Sequence, residues 1–165
     1  MNRPASFMEI FLNPGEYYFG DRDTRIRTVL GSCVSMTVWH PRLLVGGMSH
    51  FMLPARGNGG TGQDELDGRY ADEAMELLMA EIDAVGAPHL EYQVKLFGGG
   101  NMFPTLTKQG QPTLGDKNID TARELIRHYG LPCAAEHLGG KGHRNVIFDV
   151  WSGHVWVKHP KLQTS

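Results

Sequence analysis

A cysteine placed directly after a glycine and a serine is the first feature of this sequence that suggests chemistry. Cys33 follows Gly31 and Ser32 at the point where one apolar run ends and the next begins. Small residues before a thiol let the backbone turn sharply and present N–H groups beside the sulfur. An acyl-transfer site needs such groups, because they stabilise the oxyanion of the tetrahedral intermediate. The segment therefore predicts a nucleophilic Cys33 with an oxyanion site at Gly31 and Ser32.

A histidine that could activate this thiol stands at the end of a nearby apolar run. The runs 33–39 and 43–50 are separated by the turn residues 40–42. If the two runs pair as a hairpin, their far ends lie side by side, and Cys33 begins one while His50 ends the other. A thiol needs a neighbouring base or cation to become a nucleophile. The topology thus predicts His50 as the base for Cys33.

Less specific interpretations of these residues stay open. A free cysteine in an apolar strand is more often a packing residue, and that alternative stands beside the catalytic one for Cys33. Cys133 lacks a preceding glycine turn and is predicted to lie in the core. His137 and His143 flank two glycines, but neither cysteine has the paired spacing of a zinc site. No metal is expected.

The segments around these residues show two kinds of hydrophobic periodicity, one typical of strands and one typical of helices. Apolar runs predict strands at 26–30, 33–39, 43–50, 92–97, 131–138, 144–151 and 154–158, the last two joined as a hairpin. Helical spacing predicts one helix between an Asp67 cap and Gly86, and a second over 118–129 that Gly130 ends. Strands at both ends with two helices between them predict an α+β fold or a layered αβ sandwich. The glycines 98–100 are expected to line a substrate cleft or to mark a close backbone approach.

Composition excludes several classes of protein. The chain has 165 residues and a formal net charge of −2, so one domain is expected, without the basic field that nucleic-acid binding requires. No apolar run reaches the roughly 20 residues of a membrane span, and residues 1–6 do not begin a secretory signal. Two cysteines a hundred positions apart favour a reducing, cytosolic compartment over a disulfide framework.

Two segments are predicted to lack regular structure. The glycine-rich residues 54–68 are interpreted as a mobile loop, and the chain from about residue 160 as a frayed tail.

An ordered set of motifs over about residues 13–158 resembles the chemoreceptor glutamine deamidase family CheD. The motifs that carry this resemblance are Asn13-Pro14-Gly15-Glu16, Thr28-Val29-Leu30-Gly31-Ser32-Cys33-Val34, Gly46-Gly47-Met48-Ser49-His50, Tyr70-Ala71-Asp72, Phe97-Gly98-Gly99-Gly100-Asn101-Met102-Phe103, Gly115-Asp116-Lys117-Asn118 and Glu136-His137-Leu138-Gly139-Gly140-Lys141-Gly142-His143-Arg144. Each motif alone is weak, but the ordered set is specific.

The resemblance implies a fold and a set of site residues. The fold is a three-layer αβ sandwich of the α+β class, related to deamidating bacterial toxin domains, in one domain over 1–165 with its core at 13–158. In the family pattern, Cys33 is the nucleophile, His50 the base and Thr28 the third catalytic residue, with Thr37 as the alternative to Thr28. The residues expected at the oxyanion and substrate-binding positions are Gly31, Ser32, Gly98 and Gly99. No metal or organic cofactor is required.

The resemblance also implies an activity. Such a protein would hydrolyse particular glutamine side chains of methyl-accepting chemotaxis receptors to glutamate, through a thioester, in the cytoplasm. Its expected partners are the cytoplasmic helices of those receptors and a chemotaxis phosphatase, with no nucleic acid and no insertion into a membrane. Two other functions stay open: a non-catalytic adaptor that binds receptors or the phosphatase, and a related cysteine amidohydrolase or transamidase that acts on another amide.

Overall fold

A computed structural model describes residues 2–57 and 65–159, and these residues form nine strands, two α-helices and a short 3₁₀-helix. The strands are β1 Met8–Phe11, β2 Tyr17–Gly20, β3 Thr24–Leu30, β4 Val34–His40, β5 Val45–Ser49, β6 Gln93–Gly98, β7 Cys133–Leu138, β8 Arg144–Asp149 and β9 His154–Lys158. The helices are α1 Ala71–Val85 and α2 Leu114–Tyr129, and the 3₁₀-helix is His89–Glu91. Within the part of the chain that the structure describes, neither α-helix has the length and apolar content of a membrane span.

The strands form two sheets. The order in the four-stranded sheet is β1-β3-β8-β9, and the order in the five-stranded sheet is β2-β5-β4-β6-β7. The pairs β1–β3 and β6–β7 are parallel and the other neighbouring strands are antiparallel. Both predicted hairpins are confirmed, since β4 pairs with β5 from His40↔Val45 onward and β8 pairs with β9.

Two separate cores show that the layers are stacked as helices, five-stranded sheet and four-stranded sheet. One core joins the inner faces of both helices to β4 and β6, where alternate residues such as Val34, Met36 and Val38 are buried. The other core lies between the two sheets and contains Ile26 and Phe148. Alternate residues of a strand point to opposite faces, so β4 contributes to both cores. The predicted three-layer α+β sandwich is confirmed.

The first helix ends where the sequence predicts, although its start was predicted wrongly. Gly86 follows α1 in the left-handed conformation, with a φ of 87°, as expected of a helix-ending glycine. The N-cap is Tyr70, which makes no side-chain cap hydrogen bond, and not Asp67. The Asp67 carboxylate instead accepts hydrogen bonds from the backbone and guanidinium of Arg69, so it is not available to cap the helix.

The second helix begins at Leu114, four residues earlier than predicted. The Thr113 side chain accepts a hydrogen bond from the Asp116 N–H, and the Asp116 carboxylate accepts one from the Thr113 N–H. This reciprocal capping box satisfies two of the helix's unpaired donors. The Thr-x-x-Asp spacing is the sequence signal for the earlier start, and apolar periodicity alone does not detect it.

Three further differences concern the sheet edges and the chain ends. Strands β1 and β2 are not predicted, because four-residue edge strands show too little alternation, and β1 lies before the expected core boundary at residue 13. The prediction that Cys133 is buried is wrong: it is exposed, because β7 is an edge strand whose first five residues all face solvent. Residues 58–64 of the predicted loop and the predicted tail from about 160 lie outside the described residues.

Candidate active site

The pairing of β4 with the chain after β5 places Cys33 diagonally across from His50. Val34 and Phe51 exchange two backbone hydrogen bonds of 3.1 and 3.0 Å. Both of their side chains lie in the helix-side core. Since neighbouring residues point to the opposite face, Cys33 and His50 both face the four-stranded sheet. The predicted hairpin thus brings the thiol and the imidazole onto one face.

A threonine from the other sheet holds the imidazole in one tautomer. Thr28 Oγ1 lies 2.7 Å from His50 Nδ1 and 2.8 Å from the Leu12 carbonyl oxygen. A carbonyl oxygen can only accept, so the Thr28 hydroxyl donates its one proton to Leu12 and must accept from Nδ1–H. His50 Nε2 is then unprotonated, and it has no hydrogen-bond partner among the described residues. Thr37, the alternative third residue, pairs with Met48 within the five-stranded sheet, and Thr28 is the threonine that contacts His50.

Burial favours the neutral forms of the His50 imidazole and the Cys33 thiol. His50 is 2% exposed, and its removal from water lowers the pKa of its imidazole to about 4. Desolvation likewise raises the pKa of the Cys33 thiol, which is partly buried against the core between the sheets. With both groups neutral on one sheet face, proton transfer during nucleophilic attack is favoured over a preformed ion pair.

The glycine turn after β6 supports the backbone of the cysteine segment. The N–H groups of Gly99 and Gly100 donate to the carbonyl oxygens of Cys33 and Gly31, each over 2.9 Å. Gly98 has a φ of 111°, and a Cβ there would overlap the Cys33 carbonyl oxygen. The structure shows the close backbone approach at Gly98, and Gly100 of the same turn also lines a cleft. The Gly99 N–H is engaged by the Cys33 carbonyl, so Gly99 is not a free oxyanion donor, and Gly98 supports the cysteine segment through its close approach.

The N–H groups of Ser32 and Cys33 are two open donors at this turn, since neither donates to a carbonyl or to another residue's side chain in the ranges that the structure describes. The N–H of Gly31, the other predicted oxyanion residue, likewise has no acceptor there. The Cys33 N–H lies beside its own sulfur, where it opposes the rise in the thiol pKa. A carbonyl carbon attacked by that sulfur would have its oxygen next to these donors, the geometry that an oxyanion site requires.

Asn118 is a site residue whose position the sequence analysis missed. It is fully buried, and its Nδ2 donates to the carbonyl oxygens of Ser32 and Met52 over 3.0 and 2.9 Å. The signal in the sequence is an amide on the apolar stripe of α2, directly before Ile119 and four residues before Ala122. Such a residue at a buried helix position usually has a hydrogen-bonding role.

A cleft of about 340 Å³ opens beside Ser32. It is lined by the glycine turn, the following segment and the start of α2. Several apolar side chains on its walls are largely exposed, among them Phe103 at 68% and Leu106 at 78%. An apolar wall next to a nucleophile can hold a substrate larger than a single amino acid.

A buried arginine organises the opposite side of the glycine turn. Arg144 is 1% exposed, and it donates to the His137 carbonyl oxygen over 2.7 Å, to His137 Nδ1 over 2.9 Å and to the Gly139 carbonyl oxygen. Burial lowers the pKa of its guanidinium. His137 therefore serves as a hydrogen-bond partner here, and across the described ranges no three His, Cys, Asp or Glu side chains cluster as a metal site requires.

The site combines a thiol, an imidazole on the same sheet face and a hydroxyl that contacts the imidazole. Nucleophilic acyl transfer uses this combination of groups. Residues 52–159 match the family model described as CheD chemotactic sensory transduction. The chain is 49% identical over 164 residues to the probable chemoreceptor glutamine deamidase CheD of Pseudomonas savastanoi pv. phaseolicola, covering 99% of this chain and 91% of that protein. The chain therefore belongs to the CheD family.

Two further relatives align over nearly the full chain. The probable chemoreceptor glutamine deamidase CheD 2 of Albidiferax ferrireducens is 47% identical, and the alignment covers 94% of this chain and 90% of that protein. CheD 1 of Leptospira interrogans is 39% identical and covers 96% of both chains. A solved Neisseria meningitidis structure of the DUF152 family model aligns with 9% identity and a TM-score of 0.44, over 75% of this chain and 53% of that one.

Proposed function

We propose that this chain is a protein-glutamine deamidase that converts glutamine side chains of methyl-accepting chemotaxis receptors to glutamate. The observation that carries the proposal is the free Nε2 of a tautomerically fixed His50 on the same sheet face as Cys33. The names of the related proteins, probable chemoreceptor glutamine deamidases, indicate the substrate class.

In the first half of the reaction, Cys33 becomes acylated. His50 Nε2 takes the thiol proton as the sulfur attacks the carboxamide carbon of the substrate glutamine. The N–H groups of Ser32 and Cys33 donate to the resulting oxyanion, each contributing roughly 3 kcal/mol as in comparable sites. The imidazolium then protonates the amide nitrogen, the C–N bond breaks, and ammonia leaves a thioester between Cys33 and the substrate.

In the second half, water regenerates the enzyme. His50 Nε2 removes a proton from a water molecule that attacks the thioester carbonyl, and the same backbone N–H groups donate to the second oxyanion. The C–S bond breaks, the sulfur regains its proton from His50, and the substrate leaves as glutamate. Thr28 accepts from Nδ1–H throughout, so it keeps the imidazole in the tautomer that both halves need.

The apolar cleft beside Ser32 supports a helical protein substrate. A glutamine on a receptor helix could enter at Ser32 while the rest of the helix rests on the exposed wall around Phe103 and Leu106. Because the modified receptor helices are cytoplasmic, we place the protein in the cytoplasm. Family resemblance adds a chemotaxis phosphatase as a second partner, which co-purification from the native cell would test.

A receptor fragment incubated with two cysteine variants tests this function. Wild type should convert specific glutamines to glutamate, and Cys33→Ala should abolish the conversion because the nucleophile is lost. Peptide mass spectrometry of a receptor cytoplasmic fragment measures each Gln-to-Glu change. Cys133→Ala is the matched control, since Cys133 is exposed on β7 and should leave the rate unchanged.

The outcomes separate the three candidate functions. Conversion that persists in Cys33→Ala would contradict the nucleophile. Stable binding of the fragment by folded wild type without any conversion would favour the adaptor. Incorporation of an added primary amine in place of water would identify a transamidase.

A further inference from the structure

Asn118 links the two chain segments that carry the reacting groups. Its single NH₂ group donates to the Ser32 carbonyl, one residue before Cys33, and to the Met52 carbonyl, two residues after His50. The Val34–Phe51 bridge sets Met52 opposite Cys33. One side chain therefore spans the nucleophile segment and the base segment at the point where they separate.

The bond to Ser32 also fixes the direction of an oxyanion donor. The Ser32 carbonyl and the Cys33 N–H belong to one planar peptide group and point in opposite directions. Anchoring the oxygen on Asn118 therefore sets the orientation of the Cys33 N–H. The adjoining peptide is held in the same way, because the Gly100 N–H donates to the Gly31 carbonyl.

The unpaired half of the Asn118 amide indicates that packing is not its main role. Its Oδ1 is buried and has no partner among the described residues. Leaving a buried acceptor unpaired costs free energy, so a leucine of similar size would suit a purely structural position. What the amide provides that leucine does not is the pair of donated hydrogen bonds.

Helix α2 gives this donor a rigid base. The helix start is closed by the Thr113–Asp116 capping box. A Cβ at Gly115 would overlap the Gly99 carbonyl oxygen, so the first turn of the helix packs directly on the glycine turn. Asn118 thus projects from an element that already contacts the support of the cysteine segment.

We propose that Asn118 is a positioning residue that fixes the Cys33 N–H as the oxyanion donor and holds Cys33 in register with His50. This proposal rests on the proposed deamidase function for its effect on turnover. Its effect on the reactivity of the thiol is independent of the identity of the substrate.

The test uses Asn118→Leu, which keeps the number and branching of the side-chain heavy atoms, and Asn118→Asp, which keeps the shape but replaces the donor group with an acceptor. Loss of one aligned oxyanion donor should lower kcat on the receptor fragment by roughly 100-fold with little change in KM. Alkylation of Cys33 by iodoacetamide, followed by mass spectrometry against pH, requires no substrate. In wild type, His50 should assist this reaction across neutral pH, whereas in both variants the rate should rise only as free thiolate forms.

Ile126→Ala is the control for a merely structural effect. Ile126 is buried in the helix-side core two turns beyond Asn118 and has no polar side-chain atom, so its truncation should lower the unfolding temperature while leaving the alkylation profile unchanged. If a folded Asn118 variant alkylates with the wild-type pH profile, the positioning role is wrong. An altered profile together with a wild type that deamidates no receptor fragment would keep the positioning role and contradict the proposed function.

Discussion

At the scale of single residues, the site depends on one imidazole whose proton is placed by its surroundings. Thr28 has one hydroxyl proton, and the Leu12 carbonyl takes it, so His50 must donate from Nδ1 and keep Nε2 free. Burial then lowers the pKa of His50 and raises that of Cys33. The two effects leave a neutral imidazole at His50 and a neutral thiol at Cys33, the proposed base and nucleophile, over a wide pH range.

The pH profile of deamidation should show this directly. The acid limb of kcat/KM reports the free enzyme's base, so activity should fall only near pH 4, where His50 becomes protonated, and not near the ordinary imidazole pKa of 6.5. The alkaline limb should lie above 9.0, the ordinary pKa of a thiol. Initial rates on a receptor fragment, measured from below the acid limb to above the alkaline limb, determine both pKa values. An acid limb near 6.5 would mean that His50 is not desolvated.

Stability provides the control for this pKa. The unfolded chain binds the His50 proton below about 6.5 and the folded chain only below about 4, so the free energy of unfolding should decrease as pH falls through that window. Burial also lowers the pKa of His137, which acts in the same direction. Urea unfolding of wild type and His50→Gln at several pH values separates the contributions of His50 and His137. The free energy of unfolding of His50→Gln should depend less steeply on pH than that of wild type.

At the scale of elements, glycines allow β6 and α2 to approach the cysteine segment. Gly98, with its φ of 111°, brings the end of β6 against the Cys33 carbonyl, and the next two residues donate to that segment. The start of α2 packs on the same turn through Gly115. The backbone of the cysteine segment is thus held by a strand end and a helix start, through backbone hydrogen bonds and the Asn118 side chain.

Two glycine variants should separate backbone strain from loss of this support. Gly86→Ala places a side chain at a left-handed position with no atom nearby, so it should cost about 1–2 kcal/mol of stability and leave kcat unchanged. Gly98→Ala adds an overlap with the Cys33 carbonyl, so it should destabilise more and also lower kcat. Chemical denaturation and initial rates on folded protein measure the pair. Equal kcat values in the two variants would show that Gly98 does not position Cys33.

At the scale of the whole molecule, Cys33 and His50 lie on the face of the five-stranded sheet that packs on the four-stranded sheet. The cleft opens beside Ser32, at the end of β6 and the start of α2. His50 comes from the five-stranded sheet and its partner Thr28 from the four-stranded sheet. The apolar wall around Leu106 lies outside both sheets, on the segment between β6 and α2. In the proposed function, substrate binding and chemistry therefore rest on different parts of the fold.

Substitution of the cleft wall should consequently alter binding without altering the thiol. Leu106→Asp should raise KM for the receptor fragment roughly tenfold or more, because it places a charge where an apolar helix face would rest. Iodoacetamide should still alkylate Cys33 at the wild-type rate. Leu90→Asp is the matched control, since Leu90 is 74% exposed and precedes β6, whose other end carries the glycine turn. If both variants raise KM equally, the wall is not the receptor surface.

The sequence by itself determined the features that depend on local contacts. The hairpin through residues 40–42, the apolar stripes of both helices and the stop at Gly86 follow from periodicity and turn chemistry. The placement of Cys33 and His50 on one sheet face follows as well, because a short hairpin makes the ends of its strands neighbours whatever the rest of the chain does.

Only the tertiary structure decided the features that join distant parts of the chain. The contact of Thr28 with His50 crosses from one sheet to the other, and the bonds of Asn118 cross from a helix to two loops, so no local pattern encodes them. The exposure of Cys133 depends on β7 being an edge strand, and strand order is a property of the whole sheet. Residue types and turns therefore predict the proposed chemistry at Cys33, whereas packing between layers sets the tautomer of His50 and the orientation of the Cys33 N–H.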